Sequence, residues 1–146
     1  LSSEEIIKSA KEVLKIEAEA VAGLIENIGS DFVKAVNVIC QAKGRVVLSG
    51  MGKSGLIARK IVATLNSTGT AAIFLHPTDA LHGDLGMVRK EDVVILISKS
   101  GETEEILNLL PMLKRLNVTL IAMAGVKNSK LVKESDLFLS IEVKEE

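Results

Sequence analysis

Five short apolar runs occupy the chain from residue 45 onward: 45–49 (RVVLS), 71–75 (AAIFL), 92–98 (DVVILIS), 119–124 (TLIAMA) and 137–141 (LFLSI). Several are continuously apolar rather than alternating, as strands covered on both faces must be. Between them, residues 55–66, 103–116 and 129–134 carry helical patterns. Strand and helix alternating in this way predict an α/β fold: a doubly wound, five-stranded parallel sheet flanked by helices and linked by right-handed crossovers. At 146 residues the chain has the length of one ordinary domain, and 47% hydrophobic against 25% charged residues excludes intrinsic disorder.

N-terminal helices precede this alternation. Residues 3–28 place Ile7, Leu14, Val21 and Ile28 on one side of a helix, with Ala10 and Leu24 between them and Glu17 interrupting the seam. Two readings stand for that seam: packing on a neighbouring subunit, or packing on its own domain. Asp31 is placed to cap a second helix running to about Lys43, and Cys40 on that helix reads as a small buried apolar residue. No internal repeat or Pro/Gly-rich linker divides residues 1–146, which read as a single domain. The start at Leu1 rather than Met reads as a trimmed fragment.

Charge narrows the function. With 18 Lys plus Arg against 19 Asp plus Glu, the chain lacks the basic excess of a nucleic-acid binder. No apolar run reaches the roughly 18 residues of a membrane span and no signal-peptide pattern opens the sequence, so no membrane partner is expected and the location reads as cytoplasmic. One cysteine and two histidines without neighbouring ligands give no metal site. Without Trp or Tyr, stacking on sugar or base rings is not an expected strategy.

In an open α/β sheet, ligands bind beyond the carboxyl ends of the strands, so the loops there carry the chemistry. The loop after the first run reads Gly50-Met51-Gly52-Lys53-Ser54-Gly55. Its spacing fits the dinucleotide fingerprint, yet the next strand ends Phe74-Leu75-His76-Pro77 without the carboxylate that would hold a ribose. A Walker A pattern fails as well, because its first glycine would fall on Val47. What remains is a glycine turn into a helix N-terminus, favourable to an anion, with the charge of Lys53 added. The loop after the third run, Ser98-Lys99-Ser100-Gly101-Glu102-Thr103, gathers three hydroxyls at another helix N-terminus. Capping accounts for one of them, by Thr103 or Ser100, but not for three around a glycine, which is the composition of a phosphate cradle.

The segments 47–55 (VLSGMGKSG) and 97–105 (ISKSGETEE) resemble those of the SIS, or sugar isomerase, domain. Residues 74–88 (FLHPTDALHGDLGMV) resemble the corresponding loop of D-arabinose 5-phosphate isomerases, and with residues 67–70 and 110–116 the resemblance extends over nearly the whole chain from residue 4. It implies interconversion of D-arabinose 5-phosphate and D-ribulose 5-phosphate through an enediol, supplying Kdo and lipopolysaccharide synthesis, with no cofactor. It also implies a homo-oligomer, a tetramer, with active sites near subunit interfaces. Leu56 departs from the family, which usually has His there. The family closes its fold beyond residue 146 with further helices and another active-site histidine, and commonly adds a CBS pair. The resemblance therefore implies a C-terminally truncated domain, and two readings stand for the fragment itself, active or inactive.

Carried over residue by residue, the resemblance implies that Ser98, Ser100 and Thr103 hold the substrate phosphate. Ser49, Gly50, Gly52 and Ser54 line the substrate and Lys53 faces its oxygens. Glu105 is the first candidate for proton transfer, and Glu146 matches another active-site carboxylate. His82 is the remaining candidate, a side chain whose protonation changes near neutral pH. His76 reads as structural, and Asp84 either orients His82 or caps a turn. Two rivals stand beside the arabinose 5-phosphate isomerase: a non-catalytic phosphosugar sensor, and an SIS isomerase for another sugar phosphate.

Overall fold

The computed structural model describes residues 2–143. Strands β1 (Val46–Gly50), β2 (Ala72–Phe74), β3 (Val93–Ser98), β4 (Thr119–Ala124) and β5 (Leu137–Ser140) form one sheet, parallel throughout, in the order β2-β1-β3-β4-β5. The predicted strands fall on the observed ones to within a residue or two at each end. Helices α1 (Ser3–Gly23) and α2 (Ser30–Gln41) precede the sheet, α3 (Gly52–Ser67) follows β1, α4 (Pro77–Leu81) follows β2, α5 (Glu104–Leu116) follows β3 and α6 (Lys130–Lys133) follows β4. The five-residue α4, with a 3₁₀ turn at Asp84–Met87 behind it, has no counterpart in the sequence reading. It is too short to show a helical period, although Pro77 in its first turn is the residue that tolerates that position best.

Alternate side chains of the central strands feed two separate cores. Val47, Val94, Leu96, Leu120 and Ala122 pack with Ile106, Leu109 and Leu113 of α5, Ala80 of α4 and Leu131 of α6. Val46, Leu48, Val93, Ile95 and Ile121 pack on the other face with Ala35 of α2 and Ala58 of α3. β1 and β3 therefore send their following helices to opposite faces. The strand order reverses between these two strands, so a crevice opens beyond their carboxyl ends.

At the opposite edge of the sheet, Asp92 ties the strand starts together. Its buried carboxylate accepts from the backbone N–H of Arg45 at 2.7 Å, from that of Arg89 at 2.9 Å and from Arg45 Nη2 at 3.2 Å. Arg45 Nη2 also donates to the Met87 carbonyl at 2.6 Å, anchoring the 3₁₀ turn.

Two expectations about α2 need correction. Asp31 does not cap it: the cap position is Gly29, without a side-chain bond, while Asp31 sits in the first turn and pairs with Lys34 at 3.1 Å. Cys40 is exposed rather than buried, because α2 turns Ala35, with Val38 and Ile39, toward the sheet and leaves Cys40 on the outer side. On α1, Ser2 forms a capping box with Glu5 that the sequence reading did not single out. The seam itself lies open: Ile7, Leu14, Val21 and Ile28 are 55–69% exposed, and the half-buried residues of this region are Ile16, Ala20 and Leu24 instead.

Candidate active site

Loop 50–55 leaves β1 where Gly50 pairs with Ile97 of β3, one residue before loop 98–103 begins. The two glycine-bearing loops thus start side by side at the reversal in strand order. Gly52 is left-handed, with φ +51°, as α3 starts. Gly55 lies so close to the strand that a Cβ there would stand 2.6 Å from the Gly50 carbonyl oxygen. That approach fixes where α3 departs. It leaves Gly52 and Lys53 exposed and Ser54 half-buried at the helix N-terminus. Ser49 is fully buried at the end of β1, and its hydroxyl makes no hydrogen bond among the described residues.

Loop 98–103 is held by its own hydroxyls. Ser98 Oγ lies 2.7 Å from Thr103 Oγ1 and accepts from the Gly101 N–H at 3.0 Å, while Ser100 Oγ accepts from the Glu102 N–H at 3.1 Å. Thr103 occupies the cap position of α5 without bonding the helix backbone through its side chain. If Ser98 donates its proton to Thr103, its lone pairs still serve Gly101 and the Thr103 proton is left to an incoming acceptor. The first N–H groups of α5 have no intrahelical acceptor and supply positive potential at the same place. Ser98 is buried, Thr103 half-buried and Ser100 exposed. The loop therefore offers Ser100 and Thr103 outward, with the buried Ser98 bonded to Thr103 and Gly101 behind them.

Glu105 stands half-buried in the first turn of α5, directly behind this loop. His82 is exposed at the C-terminal end of α4, which packs against α5. Glu146 lies outside the described residues. His76 occupies the cap position of α4 without a side-chain bond to the helix; its ring stands edge-on to Phe74, centroids 6.3 Å apart, and Arg59 of α3 covers the same Phe74 ring at 3.9 Å. Asp84 opens the 3₁₀ turn after His82. Among the described residues no three His, Cys, Asp or Glu side chains gather to hold a metal ion. One part of the site escaped the sequence reading: the segment 125–131, whose Gly125, Ser129, Lys130 and Leu131 contact loop 98–103. No local pattern announces a contact between segments some thirty residues apart in the chain.

Residues 39–146 match the SIS domain family model. Over 142 residues the chain is 49% identical to arabinose 5-phosphate isomerase KdsD of Pseudomonas aeruginosa, covering 97% of this chain and 44% of that protein. Against KdsD of Escherichia coli K12 it is 49% identical over 139 residues, covering 95% and 42%. The chain thus spans less than half the length of these curated relatives. Among solved structures, a protein of Escherichia coli CFT073 in complex with arabinose 5-phosphate superposes with a TM-score of 0.94 at 46% identity, covering all of this chain and 78% of that one.

Proposed function

Because the chain belongs to the SIS domain family, we propose that it is the isomerase domain of a D-arabinose 5-phosphate isomerase, forming D-ribulose 5-phosphate for Kdo and lipopolysaccharide synthesis. One observation carries the reading. Loops 50–55 and 98–103 start side by side at the reversal in strand order, in a chain that superposes closely on a protein bound to arabinose 5-phosphate. Shifting a carbonyl from C1 to C2 requires a base to remove the C2 proton and return it to C1, with positive charge beside O1 and O2 while the enediol forms. Ser98, Ser100 and Thr103 hold the phosphate, Ser98 through its bond to Thr103. Glu105 moves the proton, with His82 and Glu146 as the other ionisable candidates. Lys53 steadies the oxygens, and Ser49, Gly50, Gly52 and Ser54 line the sugar. The discriminating experiment is an NMR assay of the active enzyme with pentose, hexose and heptose phosphates. Conversion of arabinose 5-phosphate is expected, and conversion of only another sugar, or of none, would overturn the reading.

Phosphate binding is separately testable. Titration with arabinose 5-phosphate should move the amide resonances of residues 98–103 selectively. Ser100→Ala should weaken binding by about 1.5–3 kcal/mol, the worth of a hydrogen bond to a charged group. Unmoved amides would remove the site from this loop.

The reading extends to assembly and location. The exposed apolar residues of α1 fit a homo-oligomer, a tetramer, with active sites near the subunit interfaces. Sedimentation is expected to give a species heavier than the monomer, and a monomer at micromolar concentration would defeat it. A cytoplasmic location goes with a phosphosugar substrate. Among the described residues no helix is long and apolar enough to cross a membrane.

A further inference from the structure

A loop proposed to bind an anion, with a glutamate next to its last residue, needs an account of where that carboxylate goes. Glu102 Oε1 accepts from the backbone N–H of Lys130, 28 residues further on, at 2.6 Å. The same segment meets the loop at three more points. The Gly125 N–H donates to the Lys99 carbonyl at 2.9 Å, and the Leu131 N–H donates to the Gly101 carbonyl at 3.1 Å. Gly101, left-handed at φ +67°, lies against Ser129 so closely that a Cβ on it would fall 2.1 Å from Ser129 Oγ. The two hydrogen bonds are main chain to main chain, and the Gly101 contact works through the absence of a side chain. Of these four links, the Glu102 bond is the one that a side-chain acceptor makes, and substitution can remove that acceptor.

We infer that Glu102 is a positioning residue: bonded to Lys130 N–H, it holds loop 98–103 against segment 125–131 in the shape that receives the phosphate. The inference rests on reading that loop as the phosphate site. A hydrogen bond to a charged group biases a conformational equilibrium by about ten- to a hundredfold. A loop that holds the competent shape for only part of the time binds more weakly in proportion to that fraction. Because Glu102 is exposed, the effect belongs at the lower end of that range.

The bond can be removed from either side. Glu102→Ala deletes the acceptor, whereas Glu102→Gln keeps an acceptor oxygen and loses the charge. Lys130→Pro deletes the donor at the first position of α6, where proline is well tolerated. The preceding Ser129 is already extended, at φ −67° and ψ 160°, as a residue before proline prefers. The experiment is titration of this chain and its variants with D-arabinose 5-phosphate, following the amides of residues 98–103, with the thermal midpoint measured alongside. Glu102→Ala and Lys130→Pro are each expected to raise the Kd about tenfold with little change in thermal midpoint. The double variant should be no worse than either alone, and Glu102→Gln should bind as well as the parent or more tightly. If charge repulsion alone mattered, Glu102→Ala would also bind more tightly, which overturns the inference. So does an unchanged Kd, a loss that adds in the double variant, or a loss that follows unfolding, each with the parent's loop amides still moving. Loop amides that do not move in the parent overturn the phosphate-site reading, and the inference with it.

Discussion

Glu105→Gln lowers turnover of D-arabinose 5-phosphate by the active enzyme about 10²–10⁴-fold, the usual worth of a positioned acid or base. Glutamine keeps the length and hydrogen-bonding reach of the side chain and removes the group that accepts a proton. Substrate affinity should change little, because in the proposed site the phosphate is held one turn earlier, by Ser98, Ser100 and Thr103. The contrast with Ser100→Ala is what separates enzyme from sensor. A sensor would lose binding in Ser100→Ala and have no turnover for Glu105 to affect. Steady-state kinetics of the two variants decide the matter. An unchanged rate in Glu105→Gln would pass the proton to His82 or Glu146.

Asp92→Ala destabilises the domain by about 1–3 kcal/mol, the cost of leaving buried hydrogen-bonding groups without a partner; the Arg45 guanidinium, one-third exposed, keeps its access to water. The carboxylate is almost completely buried and serves two backbone N–H groups and the Arg45 guanidinium, all of which alanine would leave without it. Urea unfolding should show the midpoint falling without a change in slope. A loss below about 1 kcal/mol would mean that water replaces the carboxylate at little net cost. The same group sets an acid limb. Burial pushes the Asp92 carboxyl upward, but the N–H groups of Arg45 and Arg89 and the charge of Arg45 outweigh it, so the net direction is below the ordinary value of 3.8. A carboxyl lowered in the folded state contributes stability that is complete above its unfolded value, and loses that contribution as pH falls through the folded one. The parent should therefore lose stability below about pH 4 partly through Asp92, and Asp92→Asn should flatten that part of the curve.

Much of the fold was legible because it is written in local pattern. The continuous apolar runs announce strands covered on both faces, whereas the register that joins Gly50 to Ile97 pairs residues 47 positions apart and shows only in the folded sheet. The two loops were legible for the same reason, being short and contiguous and flanked by a strand and a helix. What could not be read depends on which side of an element faces inward, or on partners remote in the chain. Cys40 lies on a helix whose apolar residues allow more than one orientation, which packing against the sheet settles, whereas Asp31 misses the cap because the helix starts earlier, with Gly29 at its cap position. Arg45 and Asp92 are 47 residues apart and Glu102 and Lys130 are 28 apart, distances at which residue types carry no mutual signal. The exposed seam on α1 shows the complementary case. Its period was plain, but a period identifies a face without naming what lies against it.

Where α3 leaves β1, main chain meets main chain: Gly55 rests on the Gly50 carbonyl with no side chain between them. A joint of this kind has nothing to wear. Most sequence drift proceeds by exchanging side chains and letting neighbours readjust, and here there is none to exchange. One wall of the crevice is therefore a fixture, while exposed positions on the first turns of the same helix, such as Leu56 and Ile57, are replaceable fittings. A lineage that changed its sugar would be expected to redecorate those fittings and inherit the frame unaltered.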